Sequence, residues 1–175
     1  MNEIRRCTMA KKSVRSTPWA VALLVIVLVV GGGALYAFYA RRGGGTPQLV
    51  VTPATRDLGT IDYRDGIVTL GFTVENEGDG DLVITEMETS CGCTKASLVV
   101  NGQEGPQFGM RGHGEWPRGW SARLKPGERA ELKVTYDPLA HGPYVGPFDR
   151  LVFIYSNDPR EPTKRVRFYG YQRGE

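Results

Sequence analysis

Residues 67–76, IVTLGFTVEN, place Val68, Leu70, Phe72 and Val74 at every second position. Successive side chains of an extended chain point to opposite faces, so these four line one face. Thr69, Thr73 and Glu75 fall on the other. This alternation predicts a half-buried strand with one side on a core and one in water.

The same rhythm recurs in both directions. Gln48–Thr52, Asp81–Glu86, Ala96–Val100, Glu128–Tyr136, Arg150–Tyr155 and Arg165–Tyr171 are short runs of strand-forming residues. The clearest is ERAELKVTY, where Ala130, Leu132, Val134 and Tyr136 share a face. Turn chemistry separates the runs: Arg64-Asp-Gly66, Asn76-Glu-Gly-Asp-Gly80, Lys125-Pro-Gly127 and Asn157-Asp-Pro159. No stretch beyond residue 47 has a sustained helical period. Seven short strands over about 125 residues predict an all-β, immunoglobulin-like sandwich spanning residues 48–175.

The segment before it is of a different kind. Residues 19–40, WAVALLVIVLVVGGGALYAFYA, contain no charged side chain. As a helix these 22 residues reach about 33 Å, enough for a hydrocarbon core of ~30 Å. Trp19 stands at one end, and Tyr36, Phe38 and Tyr39 at the other, where amphipathic rings favour the membrane interfaces. Five Lys or Arg precede the run and two follow it. The expectation is a basic cytoplasmic tail (1–18), an inner-membrane helix (19–40), a Gly-rich linker (41–47) and a periplasmic or extracellular domain. A cleaved signal peptide is the other reading of the run. Seven basic residues against Glu3 alone give residues 1–42 a charge of +6, leaving −3 for the rest of a chain whose total is +3. A weakly acidic globular part argues against nucleic acid as a partner.

Several residues, taken in order, carry a family resemblance: Asp57-Leu-Gly-Thr-Ile61, Phe72-x-Val74-x-Asn76-x-Gly78, Leu82-Val-Ile84, Ser90-Cys-Gly-Cys-Thr94, Lys125-Pro-Gly-Glu128, Val134-x-Tyr136-Asp137, Gly146-x-Phe148 and Ser156-Asn-Asp-Pro159. In this order they resemble a bacterial family of immunoglobulin-like domains of unknown function marked by Cys-Gly-Cys-Thr. That family is similar to the domains of Hydin and the major sperm proteins. The resemblance implies an envelope β-sandwich and no particular activity. This chain departs from the pattern between Thr94 and Lys125, where residues 101–122, NGQEGPQFGMRGHGEWPRGWSA, form an insertion. A connection of that length is a candidate for function. Packing onto its own domain is the first reading of this segment; in the second, Phe108, Trp116 and Trp120 are candidate binding residues for an unidentified envelope protein, and disorder is the third.

Cys91 and Cys93 pose the remaining question, because the whole chain has only three cysteines. Residues i and i+2 of an extended segment face the same side, so both sulfurs can meet one ligand. Three readings stay open. A disulfide across one residue closes a very small ring and suits thiol exchange better than stapling. Two thiolates with His141 as third ligand, and Met110 as a further candidate, suit Cu(I). Small side chains at a sandwich corner, with Gly92 relieving a Cβ clash, need no chemistry at all. Among the other motifs, none has an enzyme's pattern. The functional expectation is a membrane-tethered binding or adaptor module without catalysis, with a thiol-dependent Cu(I) or redox protein as the competing class.

Overall fold

The computed structural model describes residues 18–41 and 44–174. Residues 1–17 of the basic tail, Cys7 among them, and residues 42–43 of the linker lie outside the described residues. The chain divides into two units, residues 1–41 and residues 42–175.

In the first unit a single helix, α1, runs over Pro18–Arg41. Its described side chains form an apolar surface with no polar stripe, and Leu23 to Val30 are all exposed. Those side chains run unbroken only over residues 21–33, about 20 Å of helix. Among the described residues no helix is long and apolar enough to cross a membrane. The membrane crossing expected over 19–40 is therefore not established by the fold.

The second unit is a two-sheet β-sandwich of ten strands. One sheet holds β1 (Leu49–Thr52), β3 (Val68–Asn76), β8 (Arg129–Tyr136), β5 (Thr94–Val100) and β6 (Gln103–Glu104), in that order. The other holds β2 (Thr55–Asp62), β10 (Thr163–Arg173), β9 (Gly146–Ser156), β4 (Leu82–Thr89) and β7 (Ala122–Leu124). All pairs are antiparallel except β2 with β10. Each of the seven runs read from the sequence is a strand, and the alternation holds: Leu70, Phe72 and Val74 of β3 and Leu132, Val134 and Tyr136 of β8 are buried between the sheets.

Three strands go beyond the expected seven, and each has a reason for escaping notice. β2, TRDLGTID, lies at a sheet edge with nearly every side chain exposed or half-buried, so it has no apolar rhythm. β6 and β7 are two and three residues long and belong to the insertion and its exit. β9 also starts earlier than expected, at Gly146. Pro147, which cannot donate to a ladder, hides a strand whose next residue, Phe148, is buried. In β4 the inward residues run Leu82, Ile84, then Met87, because the register shifts between Ile84 and Glu86. A bulge of this kind flips the alternation once and lets both halves of the strand face the core.

The end of the sandwich around Asn76 is closed by polar groups. Asn76 is fully buried, and its Nδ2 donates to the carbonyls of Gly80 (2.8 Å) and Leu124 (2.9 Å). Its Oδ1 accepts from the backbone of Gly78 (3.1 Å) and Gln48 (3.3 Å). Gly78 and Gly80 press so closely on the backbone of residues 45–48 that neither has room for a Cβ. Asp158, also buried, accepts from the N–H of Leu49 (2.8 Å), Arg160 (2.8 Å) and Glu161 (3.3 Å). Burial alone would raise its pKa, but these three bonds outweigh burial and hold the carboxyl below the usual aspartate value.

Candidate functional site: the Cys91–Cys93 corner and the insertion beside it

At the opposite end of the sandwich the chain passes from β4 in one sheet to β5 in the other through Ser90-Cys-Gly-Cys93. The corner is fixed on both sides. Ser90 N–H donates to the Leu151 carbonyl (3.0 Å), and the Leu151 N–H donates to Ser90 Oγ (2.9 Å). The Thr94 N–H closes the turn onto the Cys91 carbonyl (3.1 Å), and the Thr89 hydroxyl donates to that same carbonyl (2.9 Å). The two sulfurs so placed are joined as a disulfide, Cys91–Cys93.

The two halves of this bond have different surroundings. Cys93 is buried, 4% exposed, whereas Cys91 is half-buried at the surface. The Arg150 Nε–H donates to Cys93 Sγ at 3.1 Å. His141 Nε2 lies 3.4 Å from Cys91 Sγ, and the Cys93 N–H points at the same sulfur from 3.2 Å. The loop carrying His141 is held from below. Asp137 N–H donates to the Cys93 carbonyl (2.8 Å), and Gln172 Nε2 donates to the Pro138 carbonyl (2.8 Å). Gln172 Oε1 in turn accepts from the Tyr136 hydroxyl (2.8 Å), whose burial pushes its pKa up. Tyr136 stacks on Phe148 with ring centroids 5.0 Å apart, so the base of the loop is anchored in the core. A small pocket of about 80 Å³ opens beside the buried sulfur, lined by Cys93, Tyr136, His141, Tyr144, Arg150 and Gln172.

The three residues read as metal ligands do come together: the ligand atoms of Cys91, Cys93 and His141 lie within 4.8 Å of one another. The disulfide changes their meaning. A soft metal is bound by thiolates, and two bonded sulfurs offer none until the bond is opened. His113 is not a member of this cluster. Nor does Gly92 relieve a clash, since an added Cβ would meet only His113 Cδ2 at an ordinary 3.9 Å. Arg150 was not visible as a site residue. It begins a strand-like run, RLVFIY, and nothing in sequence spacing links it to a cysteine 57 positions away.

The insertion packs onto its own domain, the first reading of the segment, and Phe108 is thereby corrected from candidate binding residue to core residue. Phe108 is fully buried in the core. Its backbone exchanges hydrogen bonds with Ala96 of β5 (2.8 and 2.7 Å), while the next carbonyl, of Gly109, accepts from Thr89 of β4 (3.0 Å). The segment thus seals the gap between the sheets. Trp116 and Trp120 are half-buried and meet the Phe108 ring edge-on at 5.7 and 5.3 Å. Trp120 also lies over Gly105, where a Cβ would approach its indole to 3.1 Å. Each tryptophan nevertheless lines a surface groove. Trp116, with Arg111, Arg118 and Glu86, borders one of about 540 Å³. Trp120 borders another of about 310 Å³ between β6 and β7. Arg111 is fixed above Trp116, 4.6 Å from the ring, by Glu86 and by Glu88 at 3.5 Å.

The family model described as "Protein of unknown function (DUF1573)" matches residues 49–104, about a third of the chain. No curated protein matches the sequence. Among solved structures, a protein of unknown function from Porphyromonas gingivalis W83 is similar over 72% of this chain, with 18% identity and a TM-score of 0.52. This chain spans about half of that protein, 47% of its length. A family 123 glycoside hydrolase from Clostridium perfringens is similar over 74% of this chain and 27% of its own, with 6% identity and a TM-score of 0.50. The PapD-like domain 7 of human CEP192 is similar over 74% of this chain at 13% identity, with a TM-score of 0.45 and 88% of its own length covered. At such identities the likeness is one of fold.

Proposed function

We propose that this chain is a membrane-tethered binding module of the bacterial cell envelope, which holds another envelope protein rather than transforming a substrate. One observation carries the reading. The insertion that departs from the family pattern seals its own domain with Phe108, yet leaves Trp116 and an ion-paired Arg111 lining a surface groove of about 540 Å³. Rigid aromatic and arginine side chains are the residues that most often dominate protein interfaces. The apolar run of residues 19–40 supplies the tether: a helix apolar all round needs a core or a bilayer around it, and the basic residues before it favour a cytoplasmic N-terminus.

A photo-crosslinker placed at Arg118, at the groove, and at Arg165, on the exposed face of β10, tests the binding face in intact cells. The reading expects a protein adduct at 118 and none at 165. Equal labelling, or none at either position, counts against it. Protease added outside the membrane should digest the sandwich and spare the tail. A sandwich protected until the membrane is broken removes the extracytoplasmic placement.

A second reading, a Cu(I) carrier, has one observation in its favour, the approach of Cys91, Cys93 and His141 to within 4.8 Å. It requires the reduced pair. Titration of the reduced chain with Cu(I) against bicinchoninate should then show one ion held, and lost in His141→Ala. Failure to compete with the chelator ends this reading.

A further inference from the structure

The geometry points to the Cys91–Cys93 disulfide as a thiol-exchange site with a fixed direction: Cys91 is the sulfur attacked, and Cys93 is the leaving group, received by Arg150. This goes beyond the binding role and does not depend on it.

The argument starts with what the bond does not do. A cross-link stabilises mainly by closing a long loop in the unfolded chain. Cysteines two positions apart close almost the shortest loop there is. The corner is moreover already fixed by hydrogen bonds that need no sulfur, from Ser90, Thr89, Thr94 and Asp137. Stapling is therefore a weak reason for the bond.

The surroundings of the two sulfurs are then unequal in the way an exchange reaction needs. Exchange is an attack by a thiolate on one sulfur while the other departs as a thiolate, and both access and leaving-group stability set its rate. Cys91 is the sulfur at the surface, and Cys93 is the buried one. The β8–β9 loop that brings His141 to Cys91 also carries Leu139, Tyr144 and Val145 as exposed apolar side chains, a surface on which a donor protein can rest. The buried sulfur already receives the Arg150 Nε–H at 3.1 Å. Among the described residues Arg150 makes no ion pair with a carboxylate, so its charge is not neutralised by one. A hydrogen bond from a cation strengthens sharply when the acceptor becomes an anion. Arg150 thus stabilises the Cys93 thiolate far more than it stabilises the disulfide, and its contribution grows as the S–S bond breaks.

The step balances with a dithiol protein as donor. One donor thiolate attacks Cys91 Sγ. The Cys91–Cys93 bond breaks, and its electron pair leaves on Cys93 Sγ beside Arg150. The mixed disulfide between the donor and Cys91 is resolved when the donor's second thiolate attacks the donor sulfur, releasing Cys91 as a thiolate. His141 Nε2, 3.4 Å away, is placed to hold the proton that Cys91 then takes. The net change is one disulfide lost here and one formed in the donor: two electrons move to this chain, one proton ends on Cys91, and the donor's other proton goes to solvent while Cys93 stays a thiolate beside Arg150.

Two measurements on the full-length chain in detergent test this, with dithiothreitol and glutathione as probes and alkylation mass shifts as the readout. In the first, dithiothreitol should open the bond in the folded chain. Arg150→Gln should slow that reduction at least about tenfold, the scale of one lost charge-assisted hydrogen bond, and Arg150→Lys should restore part of it. In the second, which needs no change at Arg150 and is made with Cys7 replaced by Ser, each lone cysteine is offered oxidised glutathione. Cys91 in the Cys93→Ser chain should be glutathionylated at least about tenfold faster than Cys93 in the Cys91→Ser chain, in keeping with thiol access. A bond that opens only on unfolding overturns the inference. So do an Arg150→Gln rate equal to wild type, and lone cysteines that react equally or in the reverse order.

Discussion

The two ends of the sandwich hold polar groups in opposite ways. At one end Asn76 and Asp158 are buried, and their side chains receive or make seven hydrogen bonds, all to backbone. At the other end Cys91, His141 and Arg150 lie partly open to solvent, with His141 against Cys91 and Arg150 donating to Cys93. Removing a group from the first end leaves buried backbone donors and acceptors without partners, which costs the full desolvation of each. Removing a group from the second mostly returns a site to water. The lesson is that the Asn76 end holds the fold, and the Cys91 end is free to do chemistry.

This contrast is open to attack by substitution. Asn76→Ala should be the most damaging, by about 3 kcal/mol or more in urea denaturation, because four partners are abandoned at once. A cost under about 1 kcal/mol would erase the distinction between the ends. Asp158 comes next and has a pH signature. Its pKa is lower in the fold than in the unfolded chain, so its stabilisation is present above the unfolded value, near 3.8, and drains away as pH falls below that through the folded value. Asp158→Asn should cost about 2 kcal/mol at neutral pH and flatten the acid side of the stability curve. At the other end, replacing both Cys91 and Cys93 by Ser should cost about 1 kcal/mol, as expected for so short a loop. His141→Ala, at an exposed position, should stay within about 0.5 kcal/mol.

The fold was legible where water imposes a period. The faces of β3 and β8 are written in alternate residues, and so is the turn chemistry at Asn76-Glu-Gly-Asp-Gly80. β2 was not legible because an edge strand exposed along its length has no reason to alternate, and β9 was masked at its start by Pro147. The spacing of Cys91 and Cys93 left a disulfide as one of three open readings, and no His spacing singled out His141, which the β8–β9 loop brings to Cys91. Arg150 could not be found this way. It reaches Cys93 only because β9 runs beside β4 across the corner, a juxtaposition made by sheet pairing and carried by no local pattern. Phe108 could not be assigned for a related reason: an aromatic in a Gly-rich loop reads the same whether it faces a partner or fills a gap between sheets.

The division of labour between the two ends can be measured on one sample. The thermal midpoint of the full-length chain is recorded before and after quantitative reduction of Cys91–Cys93. The account predicts that the bond opens with the sandwich intact and that the midpoint falls by no more than about 5 °C, as befits ~1 kcal/mol in a domain of this size. A fall of tens of degrees, or a bond that dithiothreitol reaches only once the sheets have come apart, would contradict it.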